Sequence, residues 1–586
     1  MLFPRPRLLL ENGDGPAPGF EVRARVDASV PPEGYTLDID PTGVTIAHRD
    51  DRGLRYARAT LDQLVADHPF RLPGLSIRDW PDFPVRGYML DVSRDRVPTR
   101  DTLARLVDLC ALARINHFEL YTEHTFAYAE HEVVWRDASP MTADDVRWLD
   151  DTCTAAGIDL VANQNCFGHM GRWLAHERYR NRAEAPDGFE PIPGYPMRPT
   201  VLAPTPENAE FAQTLFAELL PNFRSRRVNV NCDETFDLGH GRSKELVARV
   251  GKERVYIDHL VRIIRPLVDD GHRVHYWADI VRKDPALARD LPDGSVPVCW
   301  TYEAPRALDD AAQHLDPAIR TLLDQLGVDL EAALGFDVNT RPLADAGVPF
   351  WVAPGTSAWD SLIGRVDNAQ ANLLDAARTG RERDAGGYLI TDWGDNGHLQ
   401  PPSVSFGPIA YGGAVAWCAD ANHDVDLAEV LDHFVFDDPS ARLGAAVVEL
   451  GRQWNRTGRR SFNGSPLQGA LVPAGFSFAT GEPSVDSIED VIARIDGCVQ
   501  EIERATPACV DGDLVRDELA QAARLARHGA WRLLASVDGP ALDTDRLRVD
   551  LAEAIDRQRE VWLRRSRPGG LADSVARLEA TLAAYV

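Results

Sequence analysis

Asp233 and Glu234 stand side by side where an alternating segment, R-R-V-N-V-N-C-D-E from Arg226, gives way to the loop T-F-D-L-G-H-G. Within a strand, successive side chains point to opposite faces. Where the strand ends the chain curls, so two adjacent acids can reach one pocket from different angles. Glycoside hydrolysis uses such a pair: one acid that keeps its proton until needed and one carboxylate that stays charged. Most Asp-Glu dipeptides are solvated surface. The pair gains weight only from the elements that hold it.

Those elements alternate. Candidate strands begin near Arg86 (R-G-Y-M-L-D-V-S), His117 (H-F-E-L-Y-T-E), Asp159 (D-L-V-A-N-Q-N-C) and Arg226, then near Arg273, Val296, Val348 and Gly387. Helices between them carry start and stop signals. Thr142 precedes A-D-D-V-R-W-L-D, with Gly157 past the end, and Thr205-Pro206-Glu207 opens a helix whose Phe211, Leu215 and Leu219 share a stripe. Repeated strand-helix alternation predicts an α/β fold closed as a (β/α)8 TIM barrel. An open doubly wound sheet is the alternative, but no G-x-G-x-x-G follows an early strand.

Ahead of the barrel, Y-T-L-D-I-D, a P-T-G turn and V-T-I-A-H read as a hairpin, followed by a helix with Leu54, Ala57, Leu61 and Leu64 on one face. Beyond Asp420, stretches such as V-R-D-E-L-A-Q-A-A-R-L-A-R-H are helical in period. The expected organisation is a small α+β domain over 1–76, the barrel over 77–420 and a helical domain over 421–586. A Gly-, Pro- and Ser-rich loop is expected from Asn463 to Ser484. The helical domain is expected to pack against the barrel or, in a homodimer, against a second copy of the chain.

Reacting groups of such a barrel come from the carboxyl ends of its strands. Arg94, Glu123 and His169 follow the first three strands, and Asp233 and Glu234 the fourth. Trp277 with Asp279 ends the fifth, Trp300 with Tyr302 the sixth, Trp359 the seventh, and Trp393 with Asp395 the eighth. Aromatic faces among charged groups suit a pyranose, whose apolar face stacks while its hydroxyls bond. Singly, each tryptophan would more often fill core, and His169 would be a satisfied structural histidine. Their common placement at one end of the strands shifts the balance.

Composition bounds the partners. The 63 Lys+Arg against 90 Asp+Glu give a net charge of -27 over 586 residues. Such a surface repels nucleic acid and anionic membranes and suits neutral substrates. The N-terminus M-L-F-P-R-P-R-L-L-L-E is not a secretory signal, and no run approaches the roughly 18 apolar residues of a membrane span. The eight cysteines are scattered without a C-x-x-C, which predicts reduced thiols in a cytoplasmic protein.

R-G-Y-M-L-D-V-S-R at Arg86, F-G-H-M at Phe167 and N-C-D-E-T-F-D-L-G-H-G at Asn231 resemble glycoside hydrolase family 20, the β-N-acetylhexosaminidases. The resemblance spans about residues 20 to 420, because the leading hairpin and helix are similar to the non-catalytic domain preceding the family's barrel. The C-D-E-x-x-x-L-G-x-G and F-G-H-M forms look nearest to the hexosaminidase D-like, non-secreted branch, which often favours N-acetylgalactosaminides. The resemblance implies a retaining exo-enzyme without cofactor, acting on terminal β-linked GlcNAc or GalNAc of glycoconjugates or oligosaccharides. Its chemistry is substrate-assisted, the acetamide oxygen attacking its own anomeric carbon to give an oxazolinium.

By that motif match, Glu234 is the acid and base, and ionised Asp233 orients the acetamide and helps Glu234 keep its proton. His169 supports the acid. Arg94, Glu123 and Asp395 bind hydroxyls, while Trp277, Trp300 and Trp393 wall the acetamide pocket. The chain departs from the family in lacking a tyrosine after strand seven, where A-P-G-T-S-A-W stands, so Tyr302 becomes the candidate for holding the acetamide oxygen. N-C-D-E also replaces the usual G-G-D-E. Two other readings compete: a metal-dependent hydrolase using Asp233, His169, His275 and Asp279, and a catalytically silent amino-sugar-binding protein. No pair of histidines at ligand spacing supports the metal, and the retained acid pair argues against the silent binder.

Overall fold

Period-two burial shapes the leading sheet. In the computed structural model, which describes all residues except 191–193, 195, 306–333, 473–478, 538–542 and 586, strands β1 (Leu8–Asp14), β2 (Val22–Val26), β3 (Tyr35–Asp40), β4 (Gly43–His48) and β5 (Pro73–Asp79) form one sheet. Its order is β1-β5-β3-β4-β2. Tyr35, Leu37 and Ile39 of β3 alternate inward and meet Tyr56, Ala57, Leu61 and Leu64 of helix Asp51–Asp67. The expected hairpin is β3–β4, antiparallel with Asp40 opposite Gly43. The strands β1 and β2 were not legible because both are exposed throughout and carry no buried period.

Two buried ion-pair knots tie this sheet to the barrel. Glu33 accepts from Arg86 Nη2 at 2.6 Å, Arg52 Nη1 at 3.0 Å and Asn116 Nδ2 at 3.0 Å. Asp79 accepts from Arg114, and from Tyr35 and Trp417 at 3.0 Å each.

The barrel runs β6 (Arg86–Asp91), β7 (His117–Tyr121), β8 (Asp159–Asn163), β9 (Arg227–Asn229), β10 (Arg273–Trp277), β11 (Ser295–Trp300), β12 (Trp351–Ala353) and β13 (Tyr388–Asp392). All pairs are parallel and β13 closes on β6. The eight expected strands are these eight. Thr142 caps helix Ala143–Ala156 through a capping box with Asp145, and Gly157 ends it at φ 79°, a conformation that glycine adopts without strain. Such a cap contributes about 1 kcal/mol.

Helices Gly512–Ser536, Thr544–Arg565 and Leu571–Ala583 pack on the barrel of their own chain, and helix Val485–Arg504 packs on Gly512–Ser536. Arg565 and Glu518 make a buried bidentate pair at 2.9 Å, and the Arg565 carbonyl accepts from Thr99 N at 2.9 Å. Gln558 and Ser574 donate to the carbonyls of Leu399 and Gly397, at 3.2 and 2.6 Å. Where a loop was expected from Asn463 to Ser484, helix Pro466–Leu471 forms; the rest of that stretch lies partly outside the described residues. Among the described residues no helix is long and apolar enough to cross a membrane, and all eight cysteines are free thiols.

Candidate active site

Beyond β9 the backbone turns left-handed, with φ 58° at Asn231, 66° at Cys232 and 47° at Glu234. Non-glycine residues hold such angles only where their surroundings over-determine them. The corner throws both acids to one side, where the loop after β8 meets them. A Cβ on Gly168 would stand 2.2 Å from the Asp233 carbonyl oxygen, so this close approach requires glycine. The next residue, His169, places Nε2 3.3 Å from Asp233 Oδ2 and 3.3 Å from Glu234 Oε2. One imidazole edge faces both carboxylates.

Burial would push His169 down, but the Asp233 charge and the close approach of both carboxylates outweigh it and hold the imidazolium well above its usual range. Conversely, burial raises Asp233, and the His169 charge prevails to leave the carboxyl below its ordinary value. Asn165 Nδ2 lies 3.4 Å from the other Asp233 oxygen. Asp233 is therefore an ionised, fully engaged carboxylate. Glu234 is the less buried of the two.

Arg94 anchors the far side. Its guanidinium lies 2.8 Å from Asp91, 3.3 Å from Glu123 and 3.9 Å from Asp395. Its carbon sits 4.7 and 5.0 Å from the Tyr121 and Trp393 ring centroids, and Nη2 reaches 3.5 Å from His169 Nδ1. Burial raises the Glu123 carboxyl and lifts Asp395 to about 6 despite Arg94.

The aromatic wall is one cluster. Trp277 and Trp393 have centroids 5.9 Å apart, Trp300 stacks on Tyr302 at 5.4 Å, and Trp359 meets Tyr302 edge-on at 5.1 Å. Trp300 and Tyr302 are half-buried, whereas Trp277 and Trp359 are 1% exposed and stand behind them. Gly355 makes room for this: a Cβ there would lie 2.3 Å from the Trp359 ring and 2.9 Å from Tyr302. Arg94, Glu123, His169, Asp233, Glu234, Trp300, Tyr302, Trp393 and Asp395 thus gather at one end of the barrel, with Trp277 and Trp359 enclosed beside them.

Comparison with known proteins agrees with that geometry. The family description "Glycosyl hydrolase family 20, domain 2" matches residues 7–80, and "Glycosyl hydrolase family 20, catalytic domain" matches residues 83–332. Together they span more than half of the chain. It belongs to glycosyl hydrolase family 20.

A β-hexosaminidase of Akkermansia muciniphila is 28% identical over 231 residues, covering 34% of this chain and 45% of that protein. One of Porphyromonas gingivalis is 34% identical over 122 residues, 19% of this chain and 15% of its own length. The chain thus spans less than half of either curated relative. The solved Flavobacterium johnsoniae chitobiase matches 99% of both chains at 14% identity, with TM-score 0.52, which shows a shared fold.

Several residues of this family 20 site serve in ways the sequence did not assign. Asp279 Oδ2 accepts the Glu234 N–H at 3.2 Å, and burial, then the Asp233 charge, lifts its carboxyl to about 7. Asn231 accepts from Trp277 Nε1 at 3.0 Å and donates to Asn163 Oδ1 at 2.8 Å. Asn163 continues to Glu119 at 2.8 Å and Glu119 to His117 at 2.6 Å. A polar ladder through the barrel interior therefore fixes the indole wall, and it explains asparagine where the family usually has glycine. Tyr121 bonds Glu123 at 3.0 Å, and Asp360 accepts from Asn396 at 2.9 Å. The D-L-G-H-G motif proves architectural. Asp237 accepts from Thr200 N at 2.9 Å, and Glu184 binds Ser243 N and Oγ at 2.9 and 2.6 Å.

His169, Asp233 and Glu234 offer one nitrogen and two oxygens within 4.8 Å of one another, a set able to hold a divalent cation. His275 does not join it. That ring packs 3.9 Å from Trp351 inside the barrel, where burial pushes it well below its usual range.

Proposed function

We propose that the protein is a retaining exo-β-N-acetylhexosaminidase that releases terminal β-linked GlcNAc or GalNAc by substrate-assisted catalysis. The observation that carries this is His169 Nε2 at 3.3 Å from both Asp233 and Glu234, beneath an aromatic wall and opposite Arg94. Two acids held on one imidazole take different states: Asp233 charged, Glu234 less buried.

With a sugar seated, Arg94 and Glu123 bind ring hydroxyls and Asp395 binds another. Trp300 and Trp393 enclose the acetamide, backed by Trp277, with Tyr302 toward its oxygen. Asp233 accepts the acetamide N–H and stabilises the positive charge that grows as the carbonyl oxygen attacks the anomeric carbon. Glu234 gives its proton to the glycosidic oxygen and the aglycone leaves. The Glu234 carboxylate then takes a proton from the water that opens the oxazolinium, restoring the acid. Configuration is retained over the two displacements.

Release of nitrophenol from p-nitrophenyl N-acetyl-β-glucosaminide or galactosaminide tests the reading, and their ratio assigns the preferred C4 epimer. No release from either would sink it. A metal at His169, Asp233 and Glu234 is the competing use of the same atoms. Unchanged turnover after chelation excludes that use, and restoration by added zinc would establish it.

A further inference from the structure

The C-terminal region reaches the rim of the pocket through its segment Asn463 to Gln468. Asn463 adopts a left-handed backbone at φ 51°, and its Oδ1 accepts from Trp359 Nε1 at 3.1 Å. Its own N–H donates to Glu303 Oε1 at 2.8 Å, a buried carboxylate also bonded by Arg365 at 2.9 Å. Ser465 N donates to the Asp360 carbonyl at 2.7 Å, and Gln468 Nε2 donates to Asp360 Oδ1 at 2.8 Å. Both residues of the Trp359-Asp360 pair are thus gripped from outside the barrel.

The loop they grip needs outside support. Ser357, Asp360 and Leu362 all carry left-handed φ, at 57°, 49° and 65°, each costing on the order of 1 kcal/mol or more. What the loop holds in place lies behind and beside the sugar site. Trp359 backs Tyr302 edge-on, and Asp360 is joined to the strand-eight loop by Asn396, next to Asp395 and its contact with Arg94.

We infer that Asn463 and Gln468 are positioning residues of the sugar pocket, supplied by the C-terminal region, and that they set how tightly the pyranose is held. The inference rests on the hexosaminidase reading above. Asn463 acts through Trp359 and Tyr302, and Gln468 through Asp360. Among the described residues neither bonds to His169, Asp233 or Glu234, so proton transfer proceeds without them. Their signature is a rise in KM with kcat retained.

Steady-state kinetics of the full-length chain test this with three variants. Asn463→Gly keeps the left-handed backbone but removes the acceptor, and Gln468→Met keeps the volume but removes the donor. Asn463→Asp keeps both backbone tolerance and acceptor. The first two should raise KM for p-nitrophenyl N-acetyl-β-glucosaminide about five- to tenfold, the scale of one lost hydrogen bond, with kcat within about twofold. The third should stay within about twofold of the parent in both constants. Unchanged KM, or equal losses in all three variants, overturns the inference. If the parent enzyme releases no nitrophenol, the hydrolase reading fails by itself. The positioning role is then read from tryptophan fluorescence on titration with N-acetylglucosamine, where the same weakening is expected and no binding by the parent overturns both.

Discussion

At the scale of residues, two neighbouring acids are made different by what surrounds them. Asp233 is buried and meets Asn165 as well as His169, whereas Glu234, at the same distance from that imidazole, is half-exposed. Glu234→Gln should therefore lose about 10²–10⁴ in kcat on alkyl or sugar aglycones and much less on nitrophenyl substrates, whose phenolate leaves without a proton. Asp233→Asn should lose about 10²–10³ on both, since the acetamide charge loses its stabiliser. Equal, small effects on the two substrate types would contradict these roles.

Asp279 adds a pH dependence of stability. Its folded carboxyl titrates near 7, above the unfolded value of about 3.9. The native state therefore holds a proton that the unfolded chain has released, and this contribution is lost as pH rises toward and through 7. Asp279→Asn, which can still accept from Glu234 N, should raise the melting temperature more at pH 8 than at pH 5. A pH-independent difference would refute the assignment. Asp233 and Glu234 were legible as an adjacent pair leaving an alternating strand. Asp279 was seen beside Trp277, but a lone acid gives no sign that it braces a neighbouring strand's backbone.

Elements bring these residues together through close backbone contact. The β8 loop and the β9 corner touch at Gly168, where any side chain would meet the Asp233 carbonyl. Gly168→Ala should displace the acid corner and cost about 10²-fold in kcat/KM, with about 1–3 kcal/mol of stability lost to overpacking. Circular dichroism and kinetics on one preparation separate the two effects, and full activity would show that the corner is not so tightly set. The eight barrel strands were readable because each is a short apolar run between helix signals. The exposed strands β1 and β2 were not, and neither was the loop after β12. Its Trp359 is held from Asn463, 104 residues away in sequence, and no local pattern records such a partner.

At the scale of the whole molecule, the three parts are joined by buried polar knots as well as apolar contact. Glu33 neutralises Arg86, which is fully buried at the first residue of the barrel. Glu33→Ala would leave that guanidinium uncompensated and should cost about 3–5 kcal/mol, read from the urea midpoint with an unchanged m-value. A loss below about 0.5 kcal/mol would mean the leading sheet is not welded there. At the other end, Arg577 of the final helix pairs with Asp95, in the loop after the first barrel strand, at 2.9 Å. Ser574 and Gln558 meanwhile hold the loop after the last barrel strand. The mouth of the cylinder is therefore completed by polypeptide that follows the barrel in the chain. A chain with its eight staves in place would still lack this finished entrance until those later helices dock against it.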